Sequence, residues 1–156
     1  AARLLRRQHP DTRFLLLGGL DDNPAAIPRQ EVEGWVAEGL IEWPGHTAVK
    51  PWLAQSHVYV LPSYYREGVP RSTQEAMAFG RPVITTDAPG CRETVDEGVN
   101  GYLVPPRDPA ALAEAMRRFV DSPDLIPALG RESRRLAEAR FDVHRQNARL
   151  LGLMGL

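Results

Sequence analysis

A chain of 156 residues, 43% hydrophobic and 25% charged, can bury one proper core, and its net charge of −1 gives no electrostatic footprint for nucleic acid. A single cysteine, Cys91, excludes an internal disulfide, and no apolar run reaches membrane-spanning length. No signal peptide is visible, so a cytoplasmic protein without stable membrane insertion is expected.

The first ten residues, AARLLRRQHP, predict a helix over 1–9 that opens without a cap and closes at Pro10. An opening inside an element suggests part of a longer protein. FLLLGG, 14–19, predicts a short buried parallel strand, and 20–30 a polar loop rich in Asp, Asn and Pro. Residues 29–38 predict a helix with Val32, Trp35 and Val36 on one face; LIEWPG, 40–45, a second strand; 47–55 a short helix. HVYVLPS, 57–63, predicts a third strand, and the next helix runs from Pro70 at its first position to Phe79, ended by Gly80. PVITTD, 82–87, and GYLVP, 101–105, complete the strands, with a helical turn over 92–97 between them. Asp108 with Pro109 starts a helix, Ser122 with Pro123 another, and Asp142 a last one with Val143, Leu150, Leu151 and Met154 along one side. Strands alternating with helices predict an α/β fold, a Rossmann-like parallel sheet flanked by helices.

Chemistry concentrates in SYYREGVPRSTQEAMAFGRPVITTD, 63–87. Glu67 and Glu75 are separated by seven residues and flank a strand-to-helix turn, where open α/β sheets bind ligands. The amides of Arg71 and Ser72 at the helix mouth suit a phosphate, and Gly68 permits close backbone approach. Pro70 offers no amide. Glu67 suits a sugar hydroxyl, Glu75 the paired hydroxyls of a ribose. Arg71 is balanced between a charge for a diphosphate and a bystander. Gly18, Gly19, Pro44 and Gly45 read as turn residues, with His46 a weak candidate for contacting a base. His9, His57 and His144 lack metal-ligand spacing, and no metal site is expected. Cys91 reads as an incidental thiol, and Arg92 and Glu93 as loop-fixing groups.

The segment from Leu61 to Met116, LPSYYREGVPRSTQEAMAFGRPVITTDAPGCRETVDEGVNGYLVPPRDPAALAEAM, resembles the C-terminal half of the retaining glycosyltransferases of family 4, which have the GT-B fold. The resemblance implies a nucleotide-sugar (donor) binding domain over 1–156, truncated at its start, with an N-terminal acceptor domain elsewhere in the protein. It places Glu67 by the transferred sugar as the catalytic-site acid. Glu75 falls on the nucleotide ribose, and Gly68, Val69, Pro70, Arg71 and Ser72 on the donor sugar and diphosphate. It implies a UDP- or GDP-sugar donor, no metal and no other cofactor. The EGVPRS form is similar to the subset that builds bacterial surface polysaccharides, which at full length would sit at the inner face of the membrane. Three departures stand out: the strand and basic loop that usually bind the diphosphate are not in this sequence, Pro70 stands where glycine is common, and Thr73 and Gln74 replace aliphatics. A nucleotide-sugar epimerase and a non-catalytic nucleotide-binding module remain alternatives. A phosphorylase is disfavoured because its cofactor needs a lysine, and only Lys50 is available.

Overall fold

The computed structural model describes residues 1–21, 23 and 26–155. Its elements follow the predicted order: α1 (Ala2–Arg6), β1 (Leu15–Leu17), α2 (Arg29–Ala37), β2 (Glu42–Gly45), α3 (Lys50–Gln55), β3 (Tyr59–Leu61), α4 (Arg71–Ala78), β4 (Val83–Thr86), β5 (Gly101–Val104), α5 (Pro109–Asp121), α6 (Leu125–Arg140) and α7 (Val143–Leu153). A 3-10 turn, Arg92–Thr94, stands where the helical turn is expected. In the loop expected over 20–30, the Ala26 amide donates to the Asn23 carbonyl at 2.8 Å, while Asp22, Pro24 and Ala25 lie outside the described residues.

All strand pairs are parallel, in two groups: β1 beside β2, and β3–β4–β5 with β4 in the centre. No ladder joins β1 to β3 among the described residues. β4 is buried at every position, because helices cover both of its faces. Side chains alternate along a strand, so Val83 and Ile84 face opposite layers. Val83 packs with Met77 of α4 and Leu136 of α6, whereas Ile84 packs with Val104, Phe119 of α5 and Leu129. Each fully buried apolar side chain of this size contributes about 1.5–3 kcal/mol of transfer free energy.

Three boundaries differ from expectation for identifiable reasons. The first helix ends at Arg6, not residue 9, and two turn hydrogen bonds, from Gln8 and His9 to the Leu5 carbonyl, finish it ahead of Pro10. Pro70 is the N-cap of α4, with ψ 124°, not its first helical residue. Its carbonyl accepts the first intrahelical bond, from Gln74 at 3.2 Å. Ser122 and Pro123 form a turn, their carbonyls accepting from the amides of Leu125 and Ile126, and α6 begins two residues after Pro123. The predicted caps Asp108 and Asp142 hold: Asp108 Oδ1 accepts from Ala110 and Ala111, and Asp142 Oδ1 from Arg145. The apolar side of α7 forms, but none of its residues is buried.

Candidate functional site

The site is the loop from β3 to α4 and the helix mouth it feeds. α4 has no side-chain cap, and its first intrahelical bond is donated by Gln74. The amides of Arg71, Ser72 and Thr73 therefore precede the hydrogen-bonded ladder and carry the positive end of the helix dipole. Glu67, Gly68 and Val69 are exposed in front of this mouth, whereas Pro70 is buried beneath it.

Glu67 and Glu75 both act electrostatically on one group. That group is Tyr59 of β3, which is partly buried against Met77 and Val83. Burial pushes the Tyr59 hydroxyl above its usual phenol value, Ser72 and Thr73 oppose this, and the charges of both Glu67 and Glu75 add to it. Both carboxylates thus lie within electrostatic reach of one hydroxyl. Tyr59 approaches Thr73 without a well-formed hydrogen bond, and Thr73 Oγ1 is buried with no partner.

Neighbouring groups divide these two acids. Arg71 Nε donates to Glu75 Oε1 at 3.2 Å on the exposed side of α4. Arg71 therefore balances Glu75 and stays largely in solvent, its side chain 90% exposed. Glu67 instead meets Cys91, whose Sγ lies 3.5 Å from Oε1. The thiol is fully buried. Cys91, read as an incidental thiol, thus touches a predicted site residue.

β4 supports the loop from below. Thr85 Oγ1 donates to the Leu61 carbonyl at 2.8 Å, and Thr86 Oγ1 donates to that of Ser63. Gly90, in the turn after β4, has φ +85°, and a Cβ there would stand 2.2 Å from the Glu67 carbonyl oxygen. The close approach expected of Gly68 occurs against its carbonyl, and Gly90 is the residue that requires it. A Cβ on Gly68 would meet nothing within 4 Å.

Other predicted groups separate from the site. Gly18 and Gly45 take positive φ, and Trp43 Nε1 donates to the Gly18 carbonyl at 2.9 Å, so these residues build turns. A Cβ on Gly19 would stand 3.5 Å from the Cβ of His46, an ordinary contact. Arg92 pairs with Asp87 at 3.0 Å and also donates to its carbonyl, fixing the loop as expected. His9 meets Asp121 at 3.3 Å, an ordinary surface pairing.

Sequence reasoning missed a second group on the same rim. Tyr64 and Tyr65 share a 2.7 Å hydroxyl contact, and the Arg107 guanidinium stands 4.5 Å from the Tyr64 ring centre. Arg107 is a non-glycine residue at φ 60°. Beside it, Pro62, Tyr64, Thr86 and Val104 help line a hollow of about 190 Å³. The signal was the aromatic doublet before Arg66 and Glu67, but nothing local pairs it with a residue after β5.

The family model for glycosyl transferases group 1 matches residues 1–122. The chain belongs to this family. WcaL of Escherichia coli (strain K12), which carries the name of a colanic acid biosynthesis glycosyltransferase, is 34% identical over 164 residues, covering 99% of this chain and 40% of that protein. Among solved structures, sucrose-phosphate synthase of Thermosynechococcus elongatus superposes with TM-score 0.80 and 30% identity, covering 98% of this chain and 41% of that one. The Anabaena protein HepE in complex with UDP gives 0.78 at 21% identity, covering 99% of this chain and 52% of that one. That second likeness shows the fold alone. The α/β fold is that of GT-B glycosyltransferases, and the chain spans about two fifths of the length of WcaL. Among the described residues no helix is long and apolar enough to cross a membrane.

Proposed function

We propose that this glycosyltransferase group 1 chain is the C-terminal, donor-binding domain of a retaining hexosyltransferase of family 4. It binds a UDP- or GDP-sugar, and the protein that contains it moves that sugar onto an acceptor in surface polysaccharide synthesis. The observation that carries the reading is the exposed, uncapped mouth of α4 with Glu67 in front of it and Glu75 on the exposed side of the same helix, both acting electrostatically on the partly buried Tyr59.

Each group then has a task. The ribose hydroxyls donate to the two oxygens of Glu75. The diphosphate accepts from the amides of Arg71 and Ser72, where the helix dipole favours negative charge. Arg71, paired to Glu75, lies beside both charges and offsets part of their repulsion. A hydroxyl of the donor sugar donates to Glu67. Transfer needs the acceptor held in line and water excluded, which calls for a second domain closing over this rim.

We infer that the 156 residues are this domain without its first strand. In a doubly wound sheet the first strand lies between the second and the fourth. If β1 to β5 are the second to sixth strands, the interruption between β1 and β3 falls there. UDP bound to a protein of the same fold favours a nucleotide donor. A relative named for colanic acid favours a polysaccharide product.

Calorimetric titration with UDP, GDP and their sugar derivatives tests the reading. Preference for one nucleoside diphosphate, lost in Glu75→Ala, is expected. Binding without nucleotide preference, or unchanged by Glu75→Ala, overturns it in favour of a module of another kind. The isolated chain is expected to bind weakly and transfer nothing. Product analysis on the complete polypeptide separates transfer to an acceptor from epimerisation of the free donor.

A further inference from the structure

We propose that Gly90 and Cys91, in the turn after β4, are positioning residues that set the Glu67 carboxylate for the donor sugar. The inference rests on the donor-binding reading of Glu67.

Glu67 by itself is an exposed acid in a loop. Such a side chain samples several rotamers, and ordering it on binding opposes affinity. Here the loop is held from Leu61 to Gly68 by the strand behind it. Thr85 and Thr86 take the carbonyls of Leu61 and Ser63. Gly90 then lies directly on the next peptide: an added Cβ would stand 2.2 Å from the carbonyl oxygen of Glu67 and 2.4 Å from that of Gly68. Those atoms are backbone and cannot swing aside. The φ of +85° at Gly90 independently disfavours any side chain. Cys91 completes the turn. Its S–H is aimed at Glu67 Oε1 from 3.5 Å, and the sulfur is buried. A weak donor on one carboxylate oxygen fixes the rotamer and leaves acceptor capacity for a sugar hydroxyl. The geometry makes Gly90 the support of the main chain and Cys91 the support of the side chain.

This predicts a separation between two ligands of one site. Sugar nucleotide touches Glu67, whereas free diphosphate reaches only the α4 mouth and Glu75. The quantity to measure is the affinity ratio of sugar nucleotide to free diphosphate, by calorimetry on the complete polypeptide. UDP, GDP and their common sugar derivatives are the probes, and the tightest pair is carried forward. Glu67→Ala is the reference. Cys91→Ala is expected to lower the ratio about threefold, as for a weak hydrogen bond, and Gly90→Ala about tenfold. Cys91→Ser, which keeps a donor, is expected to restore the ratio to within about twofold. Affinity for free diphosphate stays within about twofold throughout.

If Glu67→Ala lowers the ratio while Cys91→Ala and Gly90→Ala do not, the positioning role is wrong and the donor-binding reading stands. If Glu67→Ala itself changes nothing, both fall. Equal losses for diphosphate and sugar nucleotide make the turn merely structural and also overturn the proposal. Should Gly90→Ala fail to fold, the Cys91→Ala and Cys91→Ser pair decides alone.

Discussion

At the amino ends of the strands, backbone meets backbone with no room for a methyl group. A Cβ on Gly101 would stand 1.8 Å from the Val83 carbonyl oxygen, and one on Gly130 of α6 would stand 2.3 Å from that of Gly80. Asn100 is buried there with its amide spoken for: Nδ2 donates to the Thr94 carbonyl at 3.0 Å, and Oδ1 accepts from the Asp96 amide at 2.8 Å. At the carboxyl ends, Glu67 and Glu75 face solvent, the α4 mouth has no side-chain cap, and Thr73 Oγ1 lacks a partner. The same helix joins both rims. Its far end is locked by α6 through Gly80 and Gly130, and a rigid far end is what allows the near end to hold unsatisfied groups in place. Stability and binding are therefore expected to separate by rim.

The strongest way to break this contrast is Gly130→Ala. Alanine is ordinarily the better helix former, so propensity alone predicts a gain of about 1 kcal/mol. The Gly80 backbone forbids it, and a loss of about 3 kcal/mol or more is expected in urea unfolding. A gain would mean that α4 and α6 do not interlock. Asn100→Ala comes next. It leaves the Asp96 amide and Thr94 carbonyl without their partner, and about 2 kcal/mol should be lost in the same measurement.

Glu75→Ala sharpens the contrast from the other rim. Nucleoside diphosphate affinity is expected to fall at least about tenfold, because two ribose hydroxyls lose a charged acceptor. Unfolding should move by no more than about 0.5 kcal/mol, since Glu75 is exposed and its pair with Arg71 is a surface pair. A large loss of stability instead would make Glu75 a structural residue.

The smallest effect is electrostatic and lies on the amino rim. Arg13 Nε donates to Glu42 Oε1 at 2.7 Å, and this hydrogen bond holds the Glu42 carboxyl below the usual carboxylate range. A depressed folded value stabilises above the ordinary value and is lost as pH falls through the folded one. Glu42→Gln should therefore flatten the acid limb of the unfolding midpoint against pH, slightly and only at low salt. No change in that limb would show that the exposed pair contributes nothing to stability.

Much of this was legible in the residues. Short runs bounded on at least one side by Gly or Pro gave all five strands, and the caps Asp108 and Asp142 were readable because capping is a local hydrogen bond to the next few amides. Glu67 and Glu75 stood out because a strand-to-helix turn is also a local pattern. Boundaries slipped where two local signals competed, as at Pro70, whose fixed φ serves an N-cap as well as a first helical turn. The contact of Cys91 with Glu67 was not foreseen because nothing in its own neighbourhood names Glu67 as its partner.

Local sequence thus determined which segments became strands and helices, where the helices were capped, and that an acidic pair would flank one strand-to-helix turn, since each of these depends on neighbours within a few residues. Only the tertiary structure decided that Gly90 rather than Gly68 is the close-approach glycine, that Cys91 touches Glu67, that Arg107 joins Tyr64, and that the strands fall into two groups. Those contacts join segments distant along the chain, and whether they form depends on how strands and helices pack in three dimensions, which no short window of residues encodes.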